Sequence, residues 1–208
     1  MLELKNVKKS YASETILDVE AIQFANGIYW IKGENGSGKT TLLKMIAGLI
    51  PFTGEINFNT INLKKEPVVY RRKISWAEAE PLYPSFLTGK SLLSLYRQIR
   101  GSSQQQVDEL IHYFKMEEYI GDVIGSYSAG MTKKLSLALA FIGNPELIIL
   151  DEPLITLDTN SLDNVCNLID KRHVNSGTSF LLTSHQSAEG KLLSGKEIIV
   201  SNRTVTAK

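Results

Sequence analysis

Apolar and polar positions alternate in the first third of the chain and recur at helical spacing in the middle. Residues 2–7 and 16–24 carry alternating or β-branched apolar side chains, which predicts strands. Asn26-Gly27 reads as a tight hairpin turn, because both residue types accept positive φ. Residues 28–31 predict a strand that enters a glycine-rich loop, and residues 40–49 a helix ended by Pro51. Thr53-Gly54 reads as a turn and residues 55–58 as a further strand. Leu92, Leu95, Tyr96 and Ile99 then fall at i, i+3, i+4 and i+7, and Val107, Leu110, Ile111 and Phe114 repeat that spacing. Gly101 separates these two helices, with Ser102 or Ser103 to cap the second. A third helix is expected over 131–142.

After that the α/β alternation returns. Residues 147–150, Leu-Ile-Ile-Leu, are the continuous apolar run of a strand buried on both faces. A helix over 160–171, a buried strand over 179–182 and an edge strand over 197–200 follow. The pattern implies an α/β fold with a mostly parallel sheet and a helical insertion at roughly 75–143.

Composition narrows the class. The chain has 208 residues, 43% of them apolar, enough to bury a real core in one domain. Lys and Arg number 23 against 22 Asp and Glu, a formal charge of +1, which gives no field to attract nucleic acid or anionic lipid. The one cysteine, Cys166, excludes an internal disulfide framework and suits a reducing compartment. No apolar run is long enough to span a bilayer, and the start of the chain lacks the basic-then-apolar order of a signal peptide.

The chemistry concentrates in two places. The loop Gly33-Glu-Asn35-Gly36-Ser37-Gly38-Lys39-Thr40-Thr41 fits G-x-x-x-x-G-K-[ST], with a strand before it and a helix after it. Its glycines let backbone N–H groups turn inward around a polyphosphate, and the helix start presents partial positive charge to the same anion. Lys39 can reach the β and γ oxygens, and the Thr40 hydroxyl can ligate Mg²⁺. The second place is Asp151, which follows four apolar residues, where a carboxylate is costly without a cation partner. It is the expected second metal ligand. Glu152, next in the chain, is placed to act as general base for an attacking water.

With these two motifs and a helical insertion between them, the chain resembles the nucleotide-binding domain of ABC transporters over nearly its whole length. The resemblance implies a P-loop NTPase core with a mostly parallel sheet, an N-terminal antiparallel β part and an inserted helical subdomain. The whole of 1–208 would be one domain, its core 1–74 and 144–208 and its helical subdomain 75–143. Further residues match the family's motifs. Tyr11 stands where the family stacks an aromatic ring on adenine. Tyr127-Ser128-Ala129-Gly130-Met131 resembles the signature loop, which binds the γ-phosphate held by the other subunit; Ser128 also reads as a helix N-cap. Asp158 matches the loop that crosses the dimer interface, and His185 the histidine near the γ-phosphate. His112 and His173 have no motif around them and read as ordinary side chains. Catalysis is therefore expected from Glu152, His185 and Lys39, with ATP and Mg²⁺ bound.

Two departures stand out. The family's Gln after the third strand is missing from Ile74-Ser-Trp-Ala-Glu78-Ala79-Glu80-Pro81. Ala79 or a neighbouring Glu takes its place, and Glu78 or Glu80 could contact the metal. The signature loop has Ala129 for Gly and Met131 for Gln. The apolar stretch 82–87 reads either as packing or as part of a groove for a membrane partner's cytoplasmic helix.

The resemblance implies an ATP-hydrolysing subunit at the inner face of the cell membrane. Its partners would be transmembrane permease subunits and a second cassette, identical or related. Two alternatives are a soluble ABC-type ATPase and a weakly hydrolysing regulatory subunit. Soluble relatives usually carry two cassettes or a long coiled coil, neither of which is present. The regulatory reading rests on the two departures.

Overall fold

The computed structural model describes residues 1–183 and 195–207. Strands β1 (Leu2–Tyr11) and β2 (Glu14–Phe24) pair as an antiparallel hairpin. Its turn at Ala12-Ser13 contains neither Gly nor Asn, and Ala12 adopts φ 49°. The hairpin expected at Asn26-Gly27 does not form. β2 lies in a four-stranded antiparallel sheet, whereas β3 (Ile28–Lys32) lies in a separate six-stranded sheet. Asn26 and Gly27 carry the chain between the two, and Asn26 Nδ2 donates to the Gly177 carbonyl at 2.6 Å.

Helix α1 (Lys39–Ile46) stops short of the expected Leu49. Gly48, at φ 70°, turns the chain before Pro51 is reached. Thr53 and Gly54, expected as a turn, begin β4 (Thr53–Phe58). Gly54 has φ 87° and sits where the pairing register of β4 with β1 shifts; a Cβ there would lie 2.1 Å from the Asn6 carbonyl oxygen. β5 (Ile61–Asn62) and helix α2 (Pro67–Lys73) follow.

The six-stranded sheet is completed by β6 (Ile74–Ala77), β7 (Leu147–Leu150), β8 (Ser179–Thr183), β9 (Gly195–Ser201) and β10 (Thr204–Ala207). Its order is β10-β9-β3-β8-β7-β6, parallel except for β10. Two expectations are corrected here. β9 is not an edge strand, since β10 covers it. Residues 75–77, assigned to the helical insertion, belong to the sheet. The sheet is buried on both faces, so successive residues enter different cores. Leu147, Ile149 and Leu181 face a core shared with α1 and the antiparallel sheet. Ile148, Leu150, Phe180 and Leu182 face a second core shared with the helical part.

That helical part comprises α3 (Gly89–Arg100), α4 (Gln104–Tyr113) and α5 (Ala129–Phe141). Gly101 at φ 63° ends α3, and the Ser103 hydroxyl caps α4 by accepting from Gln106 N. The α4 stripe packs inward as expected: Val107, Leu110 and Phe114 are buried. The α3 stripe splits. Leu92 is buried beside Leu93, but Leu95 and Ile99 face outward at 48% and 68% exposure. Helix α6 (Thr159–Ser176) packs Val165, Cys166 and Ile169 against the same core. Among the described residues, no helix is long and apolar enough to cross a membrane.

Candidate nucleotide site

A parallel sheet gathers the loops at the carboxyl ends of its strands on one side, which is where such folds bind ligands. β3 runs into the glycine loop and β7 into Asp151-Glu152. β6 runs into Glu78-Ala79-Glu80, and β8 ends on Thr183. A cleft of about 610 Å³ opens there. It is lined by Thr40 and Lys44 from α1, Glu78, Ala79 and Glu80 after β6, Ala129 and Lys133 from α5, and Asp151 and Glu152 after β7. Most of the residues expected to hold metal and do chemistry are thus brought together.

The phosphate loop needs its glycines. Gly36 and Gly38 have φ 78° and 102°. A Cβ on Gly38 would also sit 3.2 Å from Ile16 and Leu17, so the β1–β2 hairpin abuts the loop. Gly38 is the N-cap of α1 and supplies no side-chain cap, and no acidic residue sits in the first turn. The helix therefore starts with unsatisfied N–H groups and its positive end available to an anion. Lys39 is buried and threads the loop, its ammonium donating to the carbonyls of Gly33 at 2.8 Å and Glu34 at 3.0 Å. Burial pulls its pKa down, and the charges of Glu152 and Asp151 oppose that shift. An arriving phosphate must take over from those two carbonyls. Ser37 Oγ is buried with no hydrogen-bond partner among the described residues. Asn35, Gly36 and Thr40 are exposed, and Thr41 is half-buried.

Asp151 is 1% exposed. Its Oδ1 accepts from the Thr183 hydroxyl at 2.7 Å, while its Oδ2 has no hydrogen-bond partner among the described residues. Thr183 Oγ1 in turn accepts from Glu152 N at 2.8 Å. One hydroxyl therefore fixes both the carboxylate of Asp151 and the backbone of Glu152. Glu152 adopts φ 46°, a left-handed conformation that costs on the order of 1–3 kcal/mol and must be held by its surroundings. A buried carboxylate oxygen of this kind, in a cleft that Thr40 also lines, fits a divalent cation: a small hard ion takes one or two carboxylate ligands and completes its shell with phosphate and water.

Sequence reasoning missed Thr183 and Lys133. Lys133 is 1% exposed, and its ammonium donates to the carbonyls of Glu78 at 2.8 Å, Ala79 at 3.0 Å and Asp151 at 3.1 Å. Burial lowers its pKa to about 8, against the opposing pull of Asp151, Glu152 and Glu78. Both residues carried a signal. Lys133, Leu137 and Phe141 share one apolar stripe of α5, and Thr183 ends an apolar run as Asp151 does.

The segment that lacks the Gln places its two carboxylates differently. Glu78 pairs with Lys44 at 2.9 Å, one turn along α1 from Thr40. Glu80 is exposed at the cleft rim, and Ala79 lies between them. Beyond them Tyr83 packs inward, its pKa raised to about 12 by burial, whereas Leu82 and Phe86 point outward at 91% and 77% exposure. The packing reading therefore holds for Tyr83 and not for Leu82 or Phe86.

Ser128 caps α5 by accepting from Met131 N at 3.2 Å, and Met131 Sδ accepts from Ser128 N. Ala129 reaches the cleft, and Gly130 packs against the Thr156 carbonyl. Asp158 caps α6, accepting from Ser161 N at 2.8 Å and Ser161 Oγ at 2.7 Å. Tyr11 lies at the end of the hairpin, half exposed, with Lys9 Nζ 4.6 Å from its ring centroid; it is not part of the cleft wall. His185 lies outside the described residues. His112 pairs with Glu117, and His173 bonds the Thr178 carbonyl.

Comparison with known proteins agrees with this geometry. The family model described as ABC transporter matches residues 19–155. The linearmycin resistance ATP-binding protein LnrL of Bacillus subtilis is 29% identical over 199 residues, which is 93% of this chain and 64% of that protein. The cytochrome c biogenesis ATP-binding export protein CcmA of Legionella pneumophila is 32% identical, covering 89% of this chain and 93% of that one. A solved ATP-binding subunit of an ABC transporter superposes with a TM-score of 0.89 at 26% identity, over all of this chain and 89% of that one. A dimeric cassette in a post-hydrolysis state with ADP and phosphate shares the fold, with a TM-score of 0.87 at 21% identity. The chain spans 62–64% of the length of the first relatives it matches. On its sequence, its fold and the arrangement of its cleft, it belongs to the ATP-binding subunit family of ABC transporters.

Proposed function

We propose that the chain binds and hydrolyses ATP and drives transport by separate transmembrane subunits, through ATP-dependent pairing of two cassettes. The observation that carries this reading is the buried Oδ2 of Asp151, without a hydrogen-bond partner among the described residues, in a cleft shared with Thr40 and Glu152 and near the loop-threaded Lys39. Asn35, Gly36, Ser37, Gly38, Lys39, Thr40 and Thr41 enclose the phosphates, and Tyr11 takes the adenine ring. Thr40 and Asp151 hold Mg²⁺, which supplies charge neutralisation at the phosphates. Lys39 adds positive charge where charge develops on the transferred group, and Glu152 accepts the proton of the attacking water. His185 assists at the γ-phosphate. Glu78, engaged by Lys44, and Glu80 at the rim are two further carboxylates that line the cleft.

Ser128, Ala129, Gly130, Met131 and Asp158 would act in trans, on the nucleotide held by the second cassette. That role is compatible with capping, because a capped helix start still presents its positive end to an anion. Leu82 and Phe86, with Leu95 and Ile99, offer apolar surface for a cytoplasmic helix of a transmembrane partner, which would place the chain at the inner face of the membrane. The names of the relatives, one for resistance and one for export, favour outward transport. The test is phosphate release from Mg·ATP by the purified chain. A site completed by two cassettes predicts a specific activity that rises with protein concentration below the dimerisation constant. Activity independent of concentration would reject the paired site, and no release with purified transmembrane subunits present would reject hydrolysis.

A further inference from the structure

Lys133 is an expensive residue to bury. An ammonium leaves water only where its charge is balanced and its donors are used. All three of its N–H donors are matched by three carbonyls, those of Glu78, Ala79 and Asp151. Those carbonyls belong to two different strand ends, and the lysine itself belongs to a third element, α5, five residues after Ser128. One side chain therefore ties the segment after β6, the Asp151-Glu152 turn and the helix that starts at the signature loop.

Other ties on these segments run elsewhere. Asp151 N donates to the Ala77 carbonyl at 2.9 Å, and Thr183 holds the Asp151 carboxylate and Glu152 N. Lys44 holds the Glu78 carboxylate. None of these bonds reaches α5. Further along, the Tyr83 hydroxyl bonds Ser136 of α5, which fixes that inward-packed ring and not the backbone of Glu78, Ala79 or Asp151. The bonds from α5 to those three carbonyls come from Lys133.

We propose that Lys133 is a positioning residue for hydrolysis: it holds the Glu152 turn and the Glu78-Ala79 segment in register with α5, so that movement of the helical part is transmitted to the general base. This rests on the hydrolytic reading above. The substitution that tests it is Lys133→Met, which keeps an unbranched apolar stem and removes the donors. Lys133→Gln restores two donors on a shorter arm.

Two readouts are used, and one is independent of hydrolysis. In hydrogen–deuterium exchange, Lys133→Met is expected to speed exchange in peptides covering 77–82 and 151–156, while the phosphate-loop peptides stay as in the wild type. In phosphate release, it is expected to lower kcat at least tenfold. Binding of a fluorescent ATP analogue should stay within threefold, and Lys133→Gln should recover an intermediate kcat. Unchanged exchange in the two segments, or an equal rise across the whole chain, overturns the proposal. So does loss of kcat and nucleotide binding in parallel, since that marks a fold support only. A wild-type chain that releases no phosphate would instead sink the hydrolytic reading, while the exchange result would still decide whether Lys133 ties the two segments.

Discussion

Thr183→Val is the sharpest probe of how the fold holds the Asp151-Glu152 turn. The change keeps shape and volume at a fully buried position and deletes one hydroxyl. That hydroxyl donates to the Asp151 carboxylate at 2.7 Å and accepts from Glu152 N at 2.8 Å. Hydrogen bonds to charged groups are worth about 1.5–3 kcal/mol, and an N–H left buried without a partner costs about 1–3 kcal/mol. Since parts of both penalties relax, a combined loss of about 3 kcal/mol is expected. In a chain of this size each kcal/mol moves the melting point by about 2–4 °C, so Thr183→Val should melt about 6–12 °C lower. Thr183→Ser keeps both bonds and loses one methyl, at a cost of about 1 kcal/mol. Melting followed by circular dichroism separates the two. Turnover should fall in Thr183→Val by about tenfold or more, because the Glu152 backbone is released from its left-handed geometry. A Val variant that melts within about 2 °C of the wild type and turns over equally would show that the Thr183 hydroxyl does not hold this turn.

Thr156 is exposed and β-branched, yet it adopts φ 66°. Thr156→Asn should raise unfolding free energy in urea by about 0.5–1 kcal/mol, because Asn accepts that conformation at lower cost. The Ser161 backbone N–H and hydroxyl, with Lys134 nearby, hold the Asp158 carboxyl down at about 2, against 3.8 for an ordinary Asp. A depressed folded pKa adds stability above the unfolded value and loses it as pH falls through the folded value. The stability gap between the wild type and Asp158→Asn should therefore narrow between about pH 4 and pH 2 in acid melts. Gly38→Ala forces a side chain into φ 102° against Ile16 and Leu17. It should cost about 1–3 kcal/mol in urea and abolish binding of a fluorescent ATP analogue. Leu82→Ser with Phe86→Ser alters only exposed side chains, so stability should hold within about 0.5 kcal/mol, while co-purification with an integral membrane protein from detergent extract is lost.

The phosphate loop and the Asp151 strand were legible in the sequence because each needs an unusual residue combination at fixed spacing. The α4 stripe was legible because one core face decides it. The α3 stripe misled because periodicity marks an apolar face and does not say what covers it: Leu95 and Ile99 belong to the outside. Asn26-Gly27 looked like a hairpin because turn chemistry is local, whereas the sheet each flanking strand joins is decided by pairing far along the chain. The true hairpin at Ala12-Ser13 has no Gly or Asn to announce it; its long ladder from Leu2↔Phe24 to Tyr11↔Glu14 holds Ala12 at φ 49°. β10 was missed because four residues rich in Thr carry little hydrophobic signal. Lys133 reads as an ordinary helical lysine until the strand-end carbonyls that surround it are known.

The proposed role of Glu152, as base in a site completed by a second cassette, stands or falls on Glu152→Gln, with phosphate release and light-scattering mass measured in parallel in Mg·ATP. The variant should form an ATP-bound species of twice the chain mass that hydrolyses at least about a hundredfold more slowly than the wild type. Wild-type turnover in Glu152→Gln, or a slow variant that binds ATP and stays monomeric at every concentration, would exclude that role.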